Sequence, residues 1–298
     1  MKYLYYPGCS LKGTGRAYEE SLLVVLPRLG IEVQELEQWN CCGATAYMAV
    51  DEMKAFALAA RNLALAEECG NGDGKPVQMI APCAACYLVL NKTQRYMREY
   101  PEVGKKVGDA LRSVQLQYND HVRVRHPLDV LTHDIGPAKI TEAVTRPLDG
   151  LKVACYYGCQ IVRPFADFDD QHNPQSMETI IKALGAEPID WPLKTRCCGG
   201  SLTGTIQEAG LRLSYILLQE AKKRGADVLV TACPLCQFNL DSYQGQMARQ
   251  FGTSVNLPAA YFTQLMGLAM GIKPRKLGLH RLTVPLEPAV NARQGALA

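Results

Sequence analysis

Cys197-Cys198-Gly199-Gly200 is the stretch from which the rest of the chain can be read. A disulfide between neighbouring cysteines strains the peptide that joins them, so the pair points to another use. Two thiolates side by side, followed by residues without bulk, suit a polynuclear iron–sulfur centre. Glycine lets backbone and inorganic sulfide come close there. The same word stands earlier as Cys41-Cys42-Gly43. Each copy has Gly-Cys upstream, at Gly8-Cys9 and Gly158-Cys159. Each has Cys-x-x-Cys downstream, at Cys83/Cys86 and Cys233/Cys236. One cysteine-rich module is written twice.

The flanks repeat as well. Leu29-Gly30-Ile31-Glu32 precedes the first pair and Leu184-Gly185-Ala186-Glu187 the second. Met79-Ile80-Ala81-Pro82-Cys83 is answered by Leu229-Val230-Thr231-Ala232-Cys233. Short apolar runs at 2–6, 31–36 and 77–81 predict strands, and helical spacing predicts helices over 18–29, 50–68 and 87–100. The plan restarts with strands at 151–157, 187–191 and 227–232 and helices at 175–184, 206–224 and 238–251. Asn71-Gly72-Asp73-Gly74 reads as a turn. The segment 101–150 reads mostly as connection, with short helices at 107–116 and 127–131. Alternating strands and helices predict an α/β fold: two duplicated modules, each a small, largely parallel sheet with flanking helices, related by pseudo-two-fold symmetry. The expected domains are 1–150 and 151–298. Every cysteine group then follows a strand, at the sheet edge where α/β folds bind ligands.

With 298 residues the chain can bury two ordinary cores. A net charge of +3, spread without a basic block, argues against a nucleic-acid partner. No apolar run reaches membrane-spanning length; the best, 259–272, is too short. Its part from 261 to 272 reads as a helix, for core packing or a partner surface. Met1 to Cys9 holds no signal-peptide pattern, so the cytoplasm is the expected compartment, and there twelve cysteines point to metal or redox chemistry rather than disulfides. Five cysteines per copy exceed the four ligands of a structural zinc, and adjacent cysteines chelate one tetrahedral ion poorly. Iron–sulfur is favoured over zinc and over a cysteine-only redox relay. No P-loop, ferredoxin cysteine run or complete dinucleotide fingerprint is present, so electrons must come from, or go to, another protein.

Cys9-x31-Cys41-Cys42-x40-Cys83-x2-Cys86 and Cys159-x37-Cys197-Cys198-x34-Cys233-x2-Cys236 resemble the duplicated CCG motif of HdrB, the B subunit of heterodisulfide reductase. Tyr156-Tyr157-Gly158-Cys159, Phe168-Asp169-Asp170, Cys233-Pro234-Leu235-Cys236 and Asn239-Leu240-Asp241 are also similar to HdrB. The gap before Cys83 is longer than the family usually has. The resemblance implies two iron–sulfur clusters of the non-cubane 4Fe–4S type, ligated by Cys9, Cys41, Cys42, Cys83 and Cys86 and by Cys159, Cys197, Cys198, Cys233 and Cys236. It implies catalysis by these clusters alone, on a disulfide cleaved or formed between them. Its implied partners are the ferredoxin-like C and flavin-containing A subunits of the same complex. Two alternatives stay open: a sulfur-oxidising relative acting on a lipoate-bound substrate, and a pure electron-transfer subunit of a dehydrogenase.

Several residues carry plainer expectations. Cys69 reads as an ordinary buried thiol, and Cys155 as a neighbour of the second group and the alternative ligand to Cys159. Lys194 and Arg196 read as solvated, with charge balance at the cluster as the alternative. Trp39 and Trp191 read as core. His121, His126, His133, His172 and His280 show no metal-ligand spacing. The tail after Pro274 reads as a partner-wrapping or disordered segment.

Overall fold

The computed structural model describes residues 1–44, 46–70, 72 and 74–295, so Asn71 and Asp73 of the expected turn lie outside the described residues. The chain forms two compact units. The first comprises Met1–Lys12 and Ile31–Pro127, the second Gly13–Gly30 and Leu128–Ala298. Compactness therefore divides the chain at other places than the duplication does.

In the first unit, β1 (Lys2–Tyr5), β2 (Glu32–Glu35), β3 (Val77–Ile80) and β4 (Val122–Arg125) form a parallel sheet in the order β2-β1-β3-β4. Helix α1 (Gly8–Leu11) follows β1 directly, and α2 (Arg16–Val25) belongs to the second unit. After β2 come α3 (Ala46–Val50) and α4 (Glu52–Glu68), then α5 (Ala84–Glu99) after β3 and α6 (Pro101–Ser113). Asp51 caps α4 by accepting from the Lys54 amide. The buried face of α4 carries Ala55, Phe56, Ala59, Ala60, Leu63 and Ala64, a helical stripe of mostly small residues. Phe56, Ala60 and Ala64 pack with Val107 and Leu111 of α6.

The second unit repeats the sheet with β5 (Lys152–Tyr156), β6 (Glu187–Pro188), β7 (Val228–Thr231) and β8 (Ala259–Tyr261), in the order β6-β5-β7-β8 and again parallel. Its helices are α8 (Gly136–Glu142), reached through the short α7 (Pro127–Asp129), then α9 (Ser176–Ala183), α10 (Gln207–Lys223), α11 (Pro234–Ser242), α12 (Gln244–Phe251), α13 (Phe262–Ala269) and α14 (Glu287–Gly295).

Sequence reading misses one edge strand in each sheet. β4 lies in the segment read as connection, where Val122 and Val124 are buried while Arg123 is exposed. β8 is three residues long, and its last residue, Tyr261, is where the reading of the sequence starts a helix. The tail after Pro274 is folded onto its own unit. The Asp241 carboxylate accepts the Thr283 and Val284 amides at 2.7 and 3.0 Å, and Arg293 pairs with Asp227 at 2.7 Å. Helix α2 completes this unit. Tyr18 stacks on Tyr261 with ring centroids 4.5 Å apart, Ser21 and Thr263 share a buried hydrogen bond of 2.6 Å, and Arg281 holds Glu20 through two bonds of 2.8 and 2.9 Å. Among the described residues no helix is long and apolar enough to cross a membrane.

Candidate metal centres

The strand order decides where the cysteines meet. From β1 the chain crosses to β2 on one side and later returns to β3 on the other, so the strand order reverses between β1 and β3. Ligand crevices open at such points, beyond the carboxyl ends of the strands. Cys9 follows β1, Cys83 and Cys86 follow β3, and Cys41-Cys42 follow β2. β5, β7 and β6 bring Cys159, Cys233/Cys236 and Cys197-Cys198 together in the same way.

The sulfurs are in contact. Cys9 Sγ lies 3.7 Å from Cys41 Sγ, and Cys42 Sγ 3.2 Å from Cys86 Sγ. In the second unit Cys198 Sγ lies 3.4 Å from Cys236 Sγ, and a hydrogen bond links the thiols of Cys159 and Cys197. Both groups have the same inside and outside. Cys42, Cys83, Cys86, Cys198, Cys233 and Cys236 are buried; Cys9, Cys41 and Cys197 are exposed, and Cys159 is half-buried.

Local chemistry explains each motif. Cys83 and Cys233 are the N-cap residues of α5 and α11, so Cys86 and Cys236 fall in the first helical turn. Residues three apart share a helix face, and free amides with the positive end of the helix dipole favour thiolates there. Its bond to Cys86, together with backbone amides, draws the Cys83 thiol below its ordinary value. Gly8 has φ +65°, and a Cβ there would meet Cys86 Sγ at 2.9 Å; Gly158 has φ +70° and would meet Cys236 Sγ at 3.1 Å. The glycine of each Cys-Cys-Gly word makes a turn rather than room for sulfide. Gly43 and Gly199 have φ +80° and +95°, and their amides point at Cys41 Sγ and Cys197 Sγ from 3.5 and 3.3 Å. A Cβ on Gly199 would strike the Gly210 backbone at 2.9 Å, and one on Gly43 the Ala55 Cα at 3.1 Å.

Two tyrosines repeat this logic; Tyr156 stands in a stretch that carries the resemblance, but the sequence assigned neither hydroxyl a role. Tyr6 donates to the Asn40 carbonyl and Tyr156 to the Arg196 carbonyl, each at 2.7 Å. Both fix the peptide immediately before the vicinal pair. Burial, reinforced by the neighbouring thiols, pushes both phenols far above their ordinary value, so they act as O–H donors. The positional echo Tyr6-x-Gly8-Cys9 and Tyr156-x-Gly158-Cys159 is the signal that could have found them.

Other supports differ between the groups. Asn62, buried in α4, accepts the Asn40 amide at 2.9 Å and donates to the Asn40 carbonyl at 3.0 Å. His126 Nε2 donates to the Pro82 carbonyl at 3.0 Å, beside Cys83. In the second group Ser214 donates to the Cys198 carbonyl at 2.7 Å. Asn239 Nδ2 reaches Cys198 Sγ at 3.6 Å and the Gly200 carbonyl at 2.9 Å. Lys194 is buried, contrary to expectation. Its Nζ pairs with Glu178 at 2.6 Å and donates to Asn173 Oδ1 and the Pro174 carbonyl, while Tyr157 donates to the same Glu178 carboxylate. The Lys194 carbonyl in turn accepts the Tyr157 and Gly158 amides. Arg196 is exposed, Trp191 is buried, and Trp39 is only half-buried.

Two cysteines stand apart. Cys69 is exposed at the C-terminal end of α4. Cys155 is buried, and the charges acting on it are Glu178, Lys194 and Lys182 rather than the other thiols. β5 ends at Tyr156, so strand alternation does not carry Cys155 to the side of Cys159.

Among the described residues no three His, Cys, Asp or Glu side chains stand ready to hold a single metal ion. Each unit instead offers five soft donors from three strand ends, with amides aimed at sulfur and glycines clearing its surroundings. That donor set fits an iron–sulfur cluster.

The cysteine-rich CCG domain matches residues 3–91 and again 153–241. The chain belongs to the CCG cysteine-rich domain family. It is 32% identical to the 8-methylmenaquinol:fumarate reductase membrane anchor subunit of Wolinella succinogenes, over 94% of this chain and 95% of that protein. It is 31% identical to a B-subunit-like protein of heterodisulfide reductase from Archaeoglobus profundus, over 93% of each. Its identity to the B subunit of the ferredoxin:CoB-CoM heterodisulfide reductase of Methanosarcina mazei is 29%, over 95% of this chain and 94% of that protein. Among solved structures, a hypothetical protein from Helicobacter pylori shares the fold with a TM-score of 0.75 at 16% identity, covering 95% of this chain. This CCG chain spans about half the length of that one, 52%.

Proposed function

We propose that each five-cysteine group holds an iron–sulfur cluster of the non-cubane 4Fe–4S type, and that the chain is the B subunit of a heterodisulfide-reductase-type complex. It is then an oxidoreductase acting on a disulfide or dithiol. The observation that carries this reading is the convergence, twice in one chain, of five thiols from three strand ends. The proposed ligands are Cys9, Cys41, Cys42, Cys83 and Cys86, and Cys159, Cys197, Cys198, Cys233 and Cys236. The sequence domains 1–150 and 151–298 are proposed as one cluster-binding domain each. When bound, such a cluster supplies one-electron chemistry and iron that takes up sulfur.

The residues around each group hold, orient and shield. Cys42, Cys83 and Cys86, with their counterparts Cys198, Cys233 and Cys236, close the inner side against water. Cys9 and Cys41, with Cys159 and Cys197, line the open side, where a substrate sulfur can approach. Splitting a disulfide takes two electrons and leaves two thiolates, which two groups in one chain match. The proposed partners are the ferredoxin-like C and flavin-containing A subunits of such a complex, and the proposed compartment is the cytoplasm.

One observation favours a second reading, electron transfer without a sulfur substrate: the 32% identity to a subunit of a quinol:fumarate reductase. Anaerobically purified protein is expected to contain iron and acid-labile sulfide, whereas tightly bound zinc without sulfide would overturn the cluster assignment. Cys42→Ser and Cys198→Ser are each expected to remove one cluster and abolish disulfide reduction by the assembled complex. Full turnover with a cluster missing refutes the paired mechanism. Electron delivery to fumarate, with no disulfide reduction, selects the second reading.

A further inference from the structure

The two cysteine groups share one backbone but offer their sulfurs different neighbours. Asn239 is the third residue after Cys236 on α11 and is fully buried. Its amide has no freedom: Oδ1 accepts from Thr203 Oγ1 at 3.0 Å, and Nδ2 donates to the Gly200 carbonyl at 2.9 Å and toward Cys198 Sγ at 3.6 Å. The third residue after Cys86 is Val89, also buried, whose side chain has no donor. A second difference lies on the open side. Arg163 is the fourth residue after Cys159, and its guanidinium donates to the Thr195 carbonyl. Thr195 stands two residues before Cys197, so this bond ties the Arg163 cation to the loop that carries the second vicinal pair. The fourth residue after Cys9 is Gly13. Nearby Lys12 is paired with Glu35 at 2.8 Å, and Arg61 is engaged by the Gln38 carbonyl and Asn40 Oδ1.

An N–H aimed at a ligand sulfur stabilises its negative charge, and that stabilisation grows when an electron is added; a nearby cation acts in the same direction. We propose that the two cluster positions are electronically unequal, the second having the higher reduction potential, and that Asn239 is the positioning residue chiefly responsible. This rests on the reading that both groups hold iron–sulfur clusters. The first electron to enter the chain then resides at the second group.

The test is a redox titration followed by electron paramagnetic resonance on anaerobically purified protein, with iron and sulfide measured on every sample. Wild-type protein is expected to give two separated transitions. The transition that survives in Cys198→Ser is expected to be the lower one, and the one that survives in Cys42→Ser the higher. Asn239→Val copies the first group. It is expected to move the upper transition to lower potential by at least ten-fold in its reduction equilibrium, about 59 mV for one electron, and to leave the lower one in place. Asn239→Asp keeps the shape while removing the N–H donor, so it repeats the shift if the valine variant loses iron. Arg163→Gln is expected to move the same transition by less. Coincident wild-type transitions, the reverse assignment in the cysteine variants, or an unmoved upper transition in loaded Asn239 variants would each overturn the proposal. Wild-type protein without iron and sulfide refutes the cluster reading instead, and is recognised before any titration.

Discussion

In the first cysteine group, the vicinal pair is gripped from one side. Asn62 holds both backbone groups of Asn40, the sulfurs meet one another and the Gly43 amide, and the helix position that matches Asn239 is the apolar Val89. In the second, Ser214 grips Cys198 itself, Asn239 reaches its sulfur, and a buried Lys194–Glu178 pair anchors the loop ahead of it. What the groups have in common is what the backbone demands: a left-handed glycine before the first cysteine, another after the pair, a tyrosine on the preceding carbonyl and a cysteine at a helix N-cap. What differs is side-chain support. A duplicated frame can therefore give two sites of the same ligand set and different surroundings.

The largest expected break in this comparison is Lys194→Ala. Removing one partner of a buried ion pair leaves the Glu178 charge uncompensated, a loss of about 3–5 kcal/mol. Denaturant unfolding should show that loss, and cluster content should fall at the second group first. Next come the paired glycines. Gly199→Ala combines a left-handed backbone cost of about 1–2 kcal/mol with overpacking against Gly210 of about 1–3 kcal/mol. Gly43→Ala meets the softer Ala55 contact and should cost less, a ranking that thermal melts can check. Asn62→Leu removes the clamp on Asn40 and leaves the half-buried Asn40 amide unpaired, its carbonyl still held by Tyr6, a loss of about 1–3 kcal/mol, with iron lost selectively from the first group. Ser214→Ala removes a single bond in the second group, about 1 kcal/mol, and should lower the melting temperature by only a few degrees. Equal losses from Asn62→Leu and Ser214→Ala would mean that the supports differ in kind but not in weight.

The two words of cysteine and glycine carried most of the architecture. Because each cysteine cluster ends an apolar run, the parallel sheets and the gathering of five thiols were legible from spacing. The edge strands were not. β4 alternates valine with arginine, and the exposed Arg123 reads as loop, while β8 is too short to separate from the helix that follows. Lys194 reads as solvated because its partner Glu178 lies 16 residues upstream on another element, and no local pattern links them. Asn62 is one polar residue in an alanine-rich helix, and its role exists only once β2 has delivered Asn40 beside it. Cys69 misleads in the other direction. Its helix is buried, but its position at the helix end is not.

Helix α2 gives the chain a history as well as a shape. It leaves the ribosome well before its partner, because Thr263, which bonds its Ser21, is 242 residues further along. At roughly 5–20 residues per second, that partner arrives on the order of ten to fifty seconds later. Until then the stripe of Ala17, Tyr18, Leu22 and Val25 has no aromatic shelf to rest on. The nascent first unit is therefore interrupted by a segment waiting for the far end of its own chain. Protein arrested before Tyr261 should be held by chaperones or degraded, and loading of the two groups becomes a question of timing during synthesis.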